Sequence, residues 1–74
     1  MHEEEQNDGE QEYQVQRIRN AMEELPDGYR IVFSLYLLEG YDHAEIGEIL
    51  EISEATSKSQ FSRAKQRIRE MLAE

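Results

Sequence analysis

After Ser53 the chain runs nineteen residues, to Leu72, without a glycine or a proline. Ser53 is a good N-cap, because its hydroxyl can accept from an orphan amide of a first helical turn. Apolar residues recur at Phe61, Ala64, Ile68 and Met71, with Leu72 beside them. That spacing predicts a long helix with one apolar stripe of period 3.6. At about 100° per residue, Ala55, Lys58, Ser59, Ser62, Gln66 and Arg69 fall on the opposite half. Small side chains near the N-terminal end allow close approach, and the interleaved cations can meet phosphate, which suits a helix lying in a DNA major groove. An ordinary solvated polar face fits the same pattern, and the helix alone does not choose between them.

The rest of the chain is short. With 74 residues and 38% hydrophobic content it holds one small domain, and a domain of this size buries only ~60% of its unfolded surface. The absence of cysteine excludes a disulfide framework and a thiolate metal site. His2 and His43 lack ligand spacing, so no metal or other cofactor is expected. No apolar run approaches a membrane span. The N-terminal MHEEEQNDGEQE is acidic where a secretory signal would be basic and then apolar, and a cytoplasmic protein is the simplest reading.

A net charge of −9 argues against simple DNA binding, but its distribution matters more. Residues 1–52 carry 3 basic and 14 acidic side chains, whereas residues 53–74 carry 5 basic and 3 acidic. The cations are concentrated on the predicted long helix, which suggests distinct jobs for the two segments.

Residues 1–12 bring six carboxylates and no cation. They cannot bury a core and read as a disordered acidic tail or linker end, leaving residues 13–74 as the folded unit. Val15, Ile18, Met22 and Leu25 predict a helix over 12–25, ended by Pro26. Residues 28–39 are nearly all apolar, with one stripe at Tyr29, Val32, Phe33, Tyr36 and Leu37 and a second at Ile31, Leu35 and Leu38. A helix apolar around most of its girth is either a central core helix or meets a partner, here through the second stripe. Gly40 supplies a stop. Asp42 with Glu45 reads as a capping-box variant opening a short helix to about Leu50. His43 is expected as an exposed first-turn residue.

A short helix, a tight turn and a capped longer helix make a helix-turn-helix. Gly47 provides the small residue needed where the two helices cross, and Ile46, Leu50 and Ile52 form the wedge between them. Leu25-Pro26, Tyr29-Arg30, Val32-Phe33, Glu39-Gly40, Glu45-Ile46, Ile49-Leu50, Ile52-Ser53, Thr56, Lys58-Ser59 and Arg63-Ala64, in that order and spacing, carry a family resemblance. The chain resembles the promoter-binding C-terminal domain, region 4, of the sigma-70 family, and is most similar to the extracytoplasmic-function branch. The resemblance spans about Val15 to Leu72.

The resemblance implies an all-α, four-helix domain whose last helix reads the minus-35 element of double-stranded promoter DNA. It also implies docking on the β flap of the RNA polymerase core and control by an anti-sigma factor. Carried over by position, the DNA-facing residues are Lys58, Ser59, Ser62 and Arg63, with Ala55 and Gln66 added from the helical wheel. Ile31, Leu35 and Leu38 are the candidate partner-binding residues. The parts of a complete factor that bind polymerase and melt the promoter are absent from the chain, which therefore reads as a fragment of a longer protein. Two positions depart from the family pattern. Glu51 stands where the turn usually has glycine, and Ser57 stands where valine is common. Ser57 falls on the core side of the wheel, where its hydroxyl could bond back to a carbonyl one turn earlier.

Two other readings compete. One is the helix-turn-helix effector domain of a response regulator. The other is a protein-interaction module that binds no DNA, as the acidic balance and the two-sided apolar helix would allow. No nucleophile, base and orienter constellation and no phosphate loop is visible, so no enzyme activity is expected.

Overall fold

The computed structural model describes the backbone of residues 2–73 and the side chains of residues 11–73. Four helices follow in order: α1 (His2–Glu23), α2 (Asp27–Leu37), α3 (His43–Leu50) and α4 (Glu54–Leu72). No strand occurs among the described residues, and the expected all-α class stands. The acidic stretch 1–12, expected as a disordered tail, lies outside the described side chains except for Gln11 and Glu12. The backbone of α1 is helical from His2, earlier than the apolar spacing indicates.

Helix α4 is the element on which the other three are laid. Its inner stripe is the predicted one: Ala64 and Ile68 are buried, and Phe61, Met71 and Leu72 are half-buried. Ala21, Met22 and Leu25 from α1 and its turn, with Phe33 from α2, close over Ala64 and Ile68 as one apolar cluster. Val32 and Ile46 are fully buried. Each such aliphatic side chain contributes roughly 1.5–3 kcal/mol relative to an exposed one. The two-sided α2 thus turns Tyr29, Val32 and Phe33 inward and leaves Ile31 outside, while Leu37 of the inner stripe is 54% exposed at the helix end.

Helix α1 differs from the prediction at both ends. It stops at Glu23, and the Glu24 and Leu25 amides donate to the Ala21 and Met22 carbonyls in a tightened last turn. Pro26 then serves as N-cap of α2. At the other end Val15 is 48% exposed and Ile18 is exposed as well. The physical reason is the length of α4: Arg17 Nη2 donates to the Leu72 carbonyl at 2.9 Å, so α4 ends level with Arg17. Val15, which precedes that point, has no helix to pack against.

The caps are those the sequence chemistry requires. Asp42 Oδ1 accepts from the Glu45 amide at 2.8 Å, and the Asp42 amide donates to Glu45 Oε1 at 2.9 Å, a reciprocal capping box. Ser53 Oγ accepts from the Thr56 amide at 2.9 Å. Between these caps, Glu51 closes α3 with φ 59 and ψ 45, the left-handed region, as its place in the turn suggests. Gly47 is needed for a reason sharper than helix crossing. A Cβ there would lie 2.7 Å from the Ile52 carbonyl oxygen and 3.5 Å from the Glu54 amide nitrogen. Ile46 is buried, and Leu50 and Ile52 are half-buried, so the expected wedge is present.

Two opposite outcomes follow for neighbouring positions of the turn. Gly47→Ala should destabilise the domain by about 1–3 kcal/mol, because the clash is with backbone and outweighs the helix propensity of alanine. Glu51→Gly should stabilise it by about 0.5–1 kcal/mol, since the left-handed conformation costs glycine nothing while a β-carbon strains it. Urea midpoints of the two variants against the parent chain decide both signs.

Candidate nucleic-acid interface

The side of α4 away from the core is open along its length. Ala55, Lys58, Ser59, Ser62, Arg63 and Gln66 are all exposed. The structure therefore brings the six candidate DNA-binding residues together on one face. Ala55, Ser59, Ser62 and Gln66 form its centre line, and Lys58 and Arg63 flank it on opposite sides, as steps of 100° require. Serines and alanine on the centre line let the helix axis approach a groove floor. The two longer cations stand where the groove walls would be.

The charge of this face is set by few groups. Lys58 Nζ pairs with Glu54 Oε2 at 3.5 Å, with both side chains more than half exposed. Such a surface pair is worth little and is readily exchanged for a phosphate. Arg63 carries no ion pair among the described residues. Lys65 lies over the Phe61 ring at 5.2 Å, which covers part of the aromatic cluster from solvent. Lys65, Arg67 and Arg69 are exposed further along α4. On α3 the exposed charges are Glu45, Glu48 and the capping Glu51, so the positive surface of the helix-turn-helix is confined to α4.

The turn places α4 by chemistry that the sequence only half reveals. Ser57 is fully buried, as the wheel indicates, but its hydroxyl does not satisfy itself on a carbonyl one turn back. It shares a 2.8 Å hydrogen bond with His43 Nδ1. His43 is thus half-buried rather than an exposed first-turn residue. Its ring stacks on Tyr36 with centroids 4.4 Å apart and meets Phe61 edge-on at 5.6 Å. Phe61 also packs against Phe33 at 5.5 Å and Tyr36 at 4.6 Å. Four aromatic rings from α2, α3 and α4 therefore meet beside the turn. The signal for His43 was available: a hydroxyl on the core side of a helix needs a partner, and His43 opens the helix packed against it.

The candidate partner residues lie apart from this face. Ile31 is 43% and Leu38 68% exposed, while Leu35 is half-buried. Leu38 also edges a groove between α1 and α2 that is lined by Arg19, Met22, Glu23, Arg30 and Ser34. No helix among the described residues is long and apolar enough to cross a membrane.

Comparison with known proteins gives the same outline as the geometry. The family model for Sigma-70, region 4 matches residues 15–68, from the middle of α1 to the last buried residue of α4. The ECF RNA polymerase sigma factor SigM of Bacillus subtilis (strain 168) is 46% identical over 48 residues, which cover 65% of this chain and 29% of that protein. The matched region is therefore less than a third of the curated relative. No solved structure matches the chain. A helix-turn-helix whose second helix carries an open, cation-flanked face from Ala55 to Gln66, a face that lies within the matched residues, completes the case: the chain belongs to the Sigma-70, region 4 family.

Proposed function

We propose that this domain recognises promoter DNA at the minus-35 element as part of a sigma factor that directs RNA polymerase to initiate transcription. The observation that carries the reading is the open face of α4 from Ala55 to Gln66, held by a buried opposite side, in a chain of the region 4 family. In this reading Ser59 and Ser62 meet base edges with Ala55 and Gln66 beside them. Lys58 and Arg63 hold phosphates or a guanine edge. Residues 13–74 form the binding unit and residues 1–12 the end of an acidic linker. The role is binding without catalysis, in the cytoplasm where the chromosome lies. Family membership sets aside the response-regulator alternative.

The same reading gives the domain two protein partners. Ile31, Leu35 and Leu38 would seat on the β flap of the polymerase core, and an anti-sigma factor would act by covering that surface or the α4 face. The exposure of Ile31 and Leu38 supports a partner surface on α2. A protein-interaction module without DNA binding would use the same α2 surface and leave α4 idle.

Selection of duplexes from a randomised pool, followed by titration of the selected and a scrambled duplex at several salt concentrations, tests the DNA reading. Lys58→Ala and Arg63→Ala should each weaken binding. Loss of a base contact shows as ~1–3 kcal/mol of lost discrimination, and loss of a phosphate contact as a uniform weakening with a salt slope reduced by about 1. Arg69→Ala, eleven residues beyond Lys58 and ~16 Å further along the axis, should do little. Failure of the pool to yield any preferred sequence favours the DNA-free module. A large effect at Arg69 with none at Arg63 means that the helix docks differently. For the partner surface, Leu38→Glu should leave the thermal midpoint within a few degrees of the parent and abolish retention on immobilised polymerase core. Full retention removes Leu38 from the interface.

A further inference from the structure

Most of what holds α4 in place is apolar and therefore indifferent to small rotations about its axis. Phe61, Ala64 and Ile68 would remain buried if the helix rolled by a few degrees. Directional contacts are few. Among the described residues, two side-chain hydrogen bonds join α4 to another helix: Arg17 to the Leu72 carbonyl, and His43 to Ser57. The first lies at the far end of α4. The second lies next to Lys58 and Ser59, on the side opposite Ala55, Ser62 and Gln66.

We infer that His43 and Ser57 are positioning residues that set the roll of α4, and with it the sequence discrimination of the reading face. The inference rests on the promoter-recognition reading above. A helix with side chains is ~10–12 Å across, so a roll of 10° moves an outer atom by ~1 Å. A hydrogen bond of 2.8 Å does not survive that displacement in good geometry. The buried Ser57 hydroxyl has no other partner among the described residues, so rolling away leaves it unsatisfied. The ring of His43 is itself held flat by Tyr36 and edge-on by Phe61, with interplanar angles of 13° and 60°. Its Nδ1 is therefore aimed by α2 and α4 together before it meets Ser57. The chain of constraint runs from Tyr36 through His43 to Ser57, and then one residue on to Lys58.

Substitutions separate the hydrogen bond from mere packing. His43→Phe keeps a stacked ring and loses the bond. His43→Asn keeps an amide near the Nδ1 position and loses most of the stack. Ser57→Ala removes only the hydroxyl and favours the helix. The 74-residue chain and its three variants are titrated against the selected and scrambled duplexes, with thermal midpoints measured alongside. The expected result is that His43→Phe and Ser57→Ala lower the ratio of specific to scrambled affinity about tenfold, while His43→Asn retains most of that ratio despite a lower thermal midpoint. Retention of the ratio in His43→Phe, or an equal loss in His43→Asn, overturns the proposal. Residual dipolar couplings of the α3 and α4 amides read the roll without DNA. Couplings of Ser57→Ala that match those of the parent also overturn it, and a shifted orientation supports it even where the parent chain proves to have no preferred duplex, the outcome that sinks the promoter reading instead.

Discussion

The Ile52 carbonyl lies over Gly47 so closely that a Cβ there would sit 2.7 Å from its oxygen, and the direction of α4 depends on that approach. With no Cβ in the way, the turn can lie flat on α3, and the Ile52 amide closes onto the Gly47 carbonyl at 2.9 Å. The chain then has only three residues between α3 and α4, so their caps are fixed as well. Glu51 takes the left-handed conformation, and Ser53 turns its hydroxyl to the Thr56 amide. The direction in which α4 leaves the turn is inherited from this passage, and the roll of the helix about its own axis is a separate matter. The apolar cluster supplies most of the stability, but it does not choose the angle.

The electrostatics of the chain are arranged around the same helix. A domain at −9 is repelled by DNA at long range, and screening over ~8–10 Å makes the local surface decide at contact. Locally α4 offers five cations against the carboxylates of Glu54 and Glu70 among its described residues, while α3 offers carboxylates only. Binding through so divided a surface is sensitive to orientation, because a helix docked by α3 would bring Glu48 and Glu51 against phosphate. On the proposed reading, the acidic first part of the chain would penalise wrong encounters as well as weaken right ones.

Much of this was legible in the sequence where the chemistry is local. Asp42 with Glu45, Ser53, Pro26 and the left-handed Glu51 act on backbone groups within four residues of themselves, so their roles follow from short spacing. The inner and outer faces of α4 were legible because a single stripe leaves no choice. The two stripes of α2 did leave a choice, which is settled by where α4 and Ile46 of α3 lie in space. Val15 and Ile18 have the periodicity of a core face, yet both are exposed, and Val15 lies before the level at which α4 ends. His43 was misread for a similar reason. Its ring partners come from two other helices, α2 and α4, and only Ser57, by being an unpaired hydroxyl on the wrong side of a wheel, pointed toward it. Of the candidate site, the clustering of the six α4 residues was readable from angle alone, whereas the bond from His43 to Ser57 was signalled only by the buried hydroxyl's need for a partner.

The hydrogen bond from Arg17 to the Leu72 carbonyl has a mechanical consequence. It fastens the middle of α1 to the last turn of α4, where a guanidinium also suits the negative end of the helix dipole. It joins α4 at Leu72, fourteen residues and ~21 Å from Lys58, and the packing of Ala21 and Met22 joins α4 again at Ala64 and Ile68. Helix α1 is thus tied to the rear half of α4 alone, and the front half, from Glu54 to Phe61, is free to be set by α2, α3 and the turn.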